Sequence, residues 1–148
     1  MSTDASAPPG LGLDEQLCFA LYAASRAVRS RYRDLLESLG LTYPQYLVML
    51  VLWNEGPVTV RVLGDYLLLD SGTLSPVLKR LEAAGLVVRR RGVPDERSVQ
   101  VSLSQAGARL RERAELVPPQ MAEAMGLGSG DSRRLLSELE ALTQRLSI

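Results

Sequence analysis

Apolar side chains recur at helical spacing from Asp14 to Leu39: Leu17, Cys18, Leu21, Tyr22, Val28, Tyr32, Leu35 and Leu36. Asp14 suits the N-cap of this run, and Gly40 suits its end. The predicted helix of about 26 residues is about 39 Å long, more than a domain of this size needs for its own core. It is therefore expected to pack against a second chain. Thr42 is the N-cap expected for a second helix, with Pro44 in its first turn. The run from Tyr46 to Trp53 is apolar all round, as in a buried helix. Gly56-Pro57 breaks it, Val58-Thr59-Val60 is short and β-branched, and Arg61 to Leu69 reads as a short helix.

Asp70-Ser71-Gly72 reads as a polar turn. The segment from Thr73 to Ala84 is amphipathic, with Leu74, Val77, Leu78 and Leu81 on one face and Gly85 as its stop. Pro76 lies a turn into it, so the helix is expected to begin only near Ser75. Leu86 to Arg91 and Arg97 to Leu103 flank a Gly-Val-Pro-Asp-Glu tip and predict a β-hairpin. Ser104 caps a predicted helix to about Val117, Pro118-Pro119 interrupts before Gln120 to Met125, and Ser129 to Leu146 forms a last helix with a leucine stripe. The fold class is mainly α with a small β-hairpin (α+β).

Composition narrows the function. The chain of 148 residues is 46% hydrophobic and 23% charged, as in an ordinary globular domain. It has no histidine, which removes His-based triads and most zinc and iron sites; neither metal nor cofactor is expected. Residues 1–12 read as a disordered tail without the marks of a signal peptide. With no apolar run long enough for a membrane span and one cysteine, the expected location is the cytoplasm.

Net charge is zero, yet Ser71 to Arg113 carries nine Lys/Arg against four Asp/Glu. A helix, a turn, an amphipathic helix and a basic hairpin, in that order, predict a winged helix-turn-helix bound to double-stranded DNA. Ser71, Thr73 and Ser75 are the small polar groups expected at base edges, and Lys79 and Arg80 reach phosphate or guanine. In the hairpin, Arg89 and Arg91 are basic stem residues expected to bind DNA. Arg97 is expected to enter the minor groove, with Asp95 orienting its guanidinium.

The segment Leu86 through Val99, followed by Leu103-Ser104-Gln105-Ala106-Gly107, resembles the wing of MarR-family transcription regulators. Within that family, Gln16 to Tyr22, Leu41 to Tyr46 and Leu69 to Leu74 resemble the OhrR branch, repressors that sense organic hydroperoxides. The resemblance implies a single unit over 13–148, with 13–40 and 105–148 as dimerisation helices and 43–104 as the DNA-binding lobe. It implies a homodimer that leaves operator DNA when organic hydroperoxide oxidises Cys18. Tyr32 and Tyr43 match the two tyrosines that hydrogen-bond the sulfur from the other subunit. Leu17, Phe19, Leu21 and Tyr22 are expected to wall the sensor pocket. The second, resolving cysteine of one subclass has no counterpart here, so a low-molecular-weight thiol is the expected capping partner.

The chemistry fits a lone thiol that cannot form a disulfide within its own chain. A helix N-terminus and phenolic donors favour the thiolate, while apolar neighbours oppose it and favour an oxidant with a carbon tail. Two other readings stand beside this one. In the first, a small aromatic ligand releases the regulator and Cys18 is a bystander. In the second, the chain is a thiol peroxidase, which lacks a resolving cysteine or a charged activating residue near Cys18 in sequence.

Overall fold

The computed structural model describes residues 10–147, so residues 1–9 of the expected tail lie outside the described residues. Residues 10–12 are held in place. Glu15 Oε2 accepts from the Gly10 N–H at 3.0 Å, and Gln16 Nε2 donates to the carbonyls of Gly10 (2.6 Å) and Gly12 (3.3 Å). A 3-10 turn over Leu13–Glu15 follows, and α1 runs Leu17–Leu36 with Gln16, not Asp14, at its N-cap. A second 3-10 turn, Glu37–Leu39, ends on left-handed Gly40. The single helix expected over Asp14–Leu39 is thus shorter and capped at both ends by tighter turns.

Thr42 opens α2 (Tyr43–Glu55) through a full capping box: its side chain accepts from the Gln45 N–H while Gln45 Oε1 accepts from the Thr42 N–H. As its apolar sequence predicts, α2 buries Tyr46, Val48, Met49 and Leu52, although Leu50 is exposed. Strand β1 (Val58–Thr59) leads into α3 (Val60–Leu67), and α4 spans Ser71–Ala83. Asp70 is the N-cap of α4, not part of a turn, and its Oδ1 accepts from the Thr73 N–H at 2.7 Å. This cap starts the helix at Ser71 rather than near Ser75, and Pro76 is accommodated inside it. Its missing N–H falls opposite the carbonyl of Gly72, still within the exposed first turn, where that carbonyl remains open to solvent.

The wing has strands β2 (Val87–Arg91) and β3 (Val99–Leu103), paired antiparallel with Arg89 opposite Val101. The hairpin is the larger part of a three-stranded sheet in the order β1-β3-β2, because Val58 pairs with Val101 and Thr59 with Gln100. Ser104 caps α5 (Gln105–Ala114). The expected interruption falls earlier, at residues 115–116, and Pro118 and Pro119 sit in the first turn of α6 (Val117–Met125), where a missing N–H loses nothing. Helix α7 (Ser129–Leu146) follows Gly126, which is left-handed.

The core gathers where α2, α3, α4 and the sheet meet, with Leu52, Leu63, Leu74, Leu78, Leu81 and Val101 essentially inaccessible. Fully burying such a side chain is worth about 1.5–3 kcal/mol. The ends of the chain contrast with this. Leu17, Phe19 and Tyr22 on α1 and Leu135, Leu136 and Leu146 on α7 are exposed, and α7 buries none of its residues. Among the described residues no single helix is long and apolar enough to cross a membrane.

Candidate functional site

Burial of Leu74, Leu78 and Leu81 decides which face of α4 is free. Ser71, Thr73, Lys79 and Arg80 are exposed and Ser75 is half-buried, so the polar groups expected at base edges lie at the open N-terminal end of the helix. Between that end and the wing runs a cleft of about 890 Å³ lined by Arg61, Asp65, Asp70, Ser71, Asp95 and Arg97, among others. Arg61 and Asp65 did not stand out in the sequence, because only the fold brings α3 against the wing tip.

The cap that starts α4 carries an acid-sensitive contribution. The Thr73 backbone N–H, and after it the Thr73 hydroxyl, hold the Asp70 carboxyl below its ordinary value of 3.8. A carboxyl depressed in the folded state stabilises above the unfolded value, and the contribution is lost as pH falls through the folded value. Asp70→Ala is therefore expected to unfold at lower temperature than wild type at about pH 7, with a smaller gap at a pH below 3.8. Thermal unfolding followed by circular dichroism at both pH values checks this; a gap that stays constant contradicts it.

The wing residues divide into two groups. Arg90, Arg91 and Arg97 are exposed, whereas Arg89 is held by Glu82 of α4. That guanidinium, with the Arg89 backbone N–H, in turn holds the Glu82 carboxyl below the usual carboxylate range. Asp95 does not orient the Arg97 guanidinium. Its Oδ1 accepts from the Arg97 backbone N–H at 2.9 Å and from Ser98 Oγ at 3.0 Å, which shapes the wing tip and leaves the Arg97 side chain exposed.

Cys18 occupies the second position of α1 and is exposed. Unpaired backbone N–H groups at that helix end favour an anion. Leu21 is half-buried, while Leu17, Phe19 and Tyr22 are exposed and nothing in the described chain closes over them, so one subunit by itself presents no walled pocket. Tyr22 lies one turn beyond Cys18, with the Arg26 guanidinium 5.5 Å from its ring.

The tyrosines form a cluster at the other end of α1. The rings of Tyr32 and Tyr43 stack with centroids 4.6 Å apart, and Tyr46 completes the group at 5.7 and 6.4 Å. Burial, with Tyr43 and Tyr46 alongside, pushes the Tyr32 phenol up to about 12; burial also raises Tyr43 and Tyr46. All three remain protonated near neutrality and available as donors. Tyr46 was hidden in the sequence inside an apolar run, although its place three residues after Tyr43 puts both on one helix face.

Cys18 and Tyr32 lie fourteen residues apart on the same helix, about 21 Å along its axis. No side-chain motion closes that gap, so a contact between the sulfur and the phenols of this cluster requires two copies of the chain.

A family model described as transcriptional regulator SarA/Rot matches residues 31–113. The chain is 46% identical over 134 residues to the organic hydroperoxide resistance transcriptional regulator of Bacillus subtilis (strain 168), covering 90% of this chain and 91% of that protein. It is 47% identical to the HTH-type transcriptional regulator TtmR of Methylorubrum extorquens (strain PA1), covering 90% and 69%. Among solved structures it is similar to reduced AbfR bound to DNA, with a TM-score of 0.74 at 37% identity over 92% of this chain and 95% of that one. AbfR of Staphylococcus epidermidis superimposes equally well, with a TM-score of 0.74 at 38% identity over 90% and 92%.

Proposed function

The chain belongs to the MarR family of winged-helix transcriptional regulators, in its organic-hydroperoxide-resistance (OhrR) branch, and from that premise we propose that it is a dimeric repressor released from operator DNA when organic hydroperoxide oxidises Cys18. The observation that carries this reading is the tyrosine cluster: protonated, half-buried or buried phenols stand one helix length away from the lone thiol. Two exposed apolar rows, on the amino-terminal part of α1 and on α7, supply the surface for a second copy. A two-fold pairing can then carry Cys18 of one subunit to Tyr32 and Tyr43 of the other.

Oxidation proceeds by attack of the thiolate on the distal peroxide oxygen. The O–O bond breaks, Cys18 becomes a sulfenic acid, and the alkoxide leaves as an alcohol after taking a proton from a phenol or water. A small thiol then attacks the sulfenic sulfur, giving a mixed disulfide and water. Either product is bulkier than the thiolate and no longer accepts the phenolic hydrogen bonds in the same way. The amino end of α1 shifts at the interface, and the spacing of the two α4 helices changes. Because half-sites lie about 34 Å apart, a small rotation breaks register with the major groove. On the DNA side, Ser71, Thr73, Ser75, Lys79 and Arg80 face the major groove, with Arg91 on the wing stem and Arg97 at the minor groove.

A DNA shift assay with organic hydroperoxide, with and without reductant, on wild type and Cys18→Ser tests the proposal. Wild type is expected to release DNA reversibly and the serine variant to stay bound throughout. Release of the serine variant by oxidant sinks the sensing assignment. A second reading is favoured by one observation, a pocket of about 250 Å³ between α2, α5 and α6 lined by Tyr46, Trp53, Arg111 and Pro118. In that reading an aromatic ligand releases DNA without any oxidant, and Cys18→Ser responds as wild type does.

A further inference from the structure

Glu82 and Arg89 lie on the two elements that the proposed reading gives to DNA, Glu82 in the last turn of α4 and Arg89 in the middle of β2. Glu82 Oε2 accepts from the Arg89 backbone N–H and from Nε, both at 3.3 Å, while Oε1 accepts from Nη2 at 3.1 Å. A two-oxygen fork held by three donors resists rotation as well as separation. The Arg89 side chain is 26% exposed, against open solvation of its neighbours Arg90 and Arg91.

The chain between the two residues is a pivot. The Gly85 N–H donates to the Glu82 carbonyl and the Leu86 N–H to the Leu81 carbonyl, both at 3.0 Å, with Gly85 at φ +76°. That tight helix end stops α4 abruptly, and the wing strand begins after only three residues, Ala84 to Leu86. Backbone hydrogen bonds at the pivot fix where the strand leaves, but the Glu82–Arg89 fork is the side-chain tie across the angle between helix and strand.

We infer that Glu82 and Arg89 are a positioning pair that sets the angle between α4 and the wing, and that Arg89 acts on DNA through Glu82 rather than by touching a phosphate. The inference rests on the DNA-binding reading above and adds to it. A winged helix holds a duplex at two places at once, so slack in this angle lowers the effective concentration of the wing at its groove once α4 is seated. The phosphate contacts fall to Arg90 and Arg91, with Arg97 left for the minor groove; the guanidinium groups of all three are free of ion pairs among the described residues.

The probe is a duplex selected from random DNA by the wild-type protein, bound across a range of salt concentrations. Glu82→Gln and Arg89→Gln are each expected to weaken binding about fivefold, the scale of a well-formed exposed ion pair. The slope of log affinity against log salt should stay at its wild-type value, whereas Arg91→Gln should lower that slope by about one. The exchanged pair, Glu82→Arg with Arg89→Glu, restores the side-chain fork but not the bond from the residue-89 backbone N–H, and should bind better than either single variant although it puts a negative charge on the wing. Circular dichroism checks that each variant is folded.

The inference is overturned if Arg89→Gln lowers the salt slope by about one while Glu82→Gln binds as wild type does. It is also overturned if neither single variant loses affinity, or if the folded exchanged pair binds no better than the single variants. Failure of the wild-type protein to select any duplex removes the DNA reading itself, an outcome distinct from all of these.

Discussion

Gly107→Ala is expected to lower the thermal unfolding midpoint by about 10 °C, from a loss of about 3 kcal/mol or more. A Cβ at this position would lie 2.1 Å from the Leu86 carbonyl oxygen and 3.3 Å from Leu103 Cδ2. The oxygen belongs to backbone, so relief requires α5 to move away from the start of β2. That motion disturbs a connected set of bonds. The Ser104 N–H donates to the same Leu86 carbonyl at 3.0 Å, and Ser104 Oγ accepts from the Gly107 N–H at 3.1 Å. Trp53 Nε1 donates to the Gly107 carbonyl at 2.8 Å. Displacing α5 therefore strains its N-cap, its seat on the wing and its tie to α2 together. Native domains of this kind hold only about 5–15 kcal/mol in all, so the loss is a large share. Gly130→Ala is the matched control: it lies inside α7 with open space around its Cβ position and is expected to be neutral or slightly stabilising. Denaturation curves of both variants decide; wild-type stability in Gly107→Ala would mean that α5 slides freely on the sheet.

The double substitution Tyr32→Phe with Tyr43→Phe is expected to slow oxidation of Cys18 by organic hydroperoxide about a hundredfold. Each hydrogen bond to a charged acceptor is worth about 1.5–3 kcal/mol, and the two phenols of one subunit are proposed to serve the same thiolate of the other. Phenylalanine keeps the stacked rings, whose centroids are 4.6 Å apart, and removes only the donors. Binding of the reduced protein to DNA is expected to stay within about threefold of wild type, because neither hydroxyl lies on the DNA-facing side of α4 or the wing. Stopped-flow measurement of thiol loss against hydroperoxide concentration gives the rate. Oxidation at the wild-type rate would show that the thiolate is not held by these phenols. Loss of rate with loss of DNA binding would point to a disturbed fold, which the unfolding midpoint detects.

Much of this molecule is legible from local signals. Thr42 and Ser104 each cap the helix that follows, and their identity announces the start; Thr59 and Asp70 are caps too, although the sequence reads them as a β-branched piece and a polar turn. Gly40, Gly85 and Gly126 stand at left-handed helix ends for the same local reason. The alternation of β3 and the leucine spacing of α4 are periodicities that a chain of any fold would show. Where local signals compete, the reading slips. Pro76 argues for a late start to α4, but the Asp70 cap and the burial of Leu74 outweigh one missing hydrogen bond. Pro118-Pro119 can end one helix or open another, and only the packing of Val117 and Met121 chooses.

By itself the sequence determined the order of elements, the basic stretch of the middle, the presence of a single thiol, and the residues that could serve it. Tertiary structure decided which of those residues meet. It placed Cys18 and the tyrosines at opposite ends of one helix, gathered Tyr46 with Tyr32 and Tyr43, and added β1 to the wing sheet. It turned Asp95 to the backbone of its own loop, where the sequence suggested the Arg97 guanidinium, and Arg89 to Glu82, where the sequence suggested DNA. The physical reason is range. Capping, turn formation and hydrophobic periodicity act within a few residues, so they are written in consecutive letters. A guanidinium with several acceptors in reach takes the one that the packing of distant elements brings within about 3 Å, and no spacing in the chain records that choice.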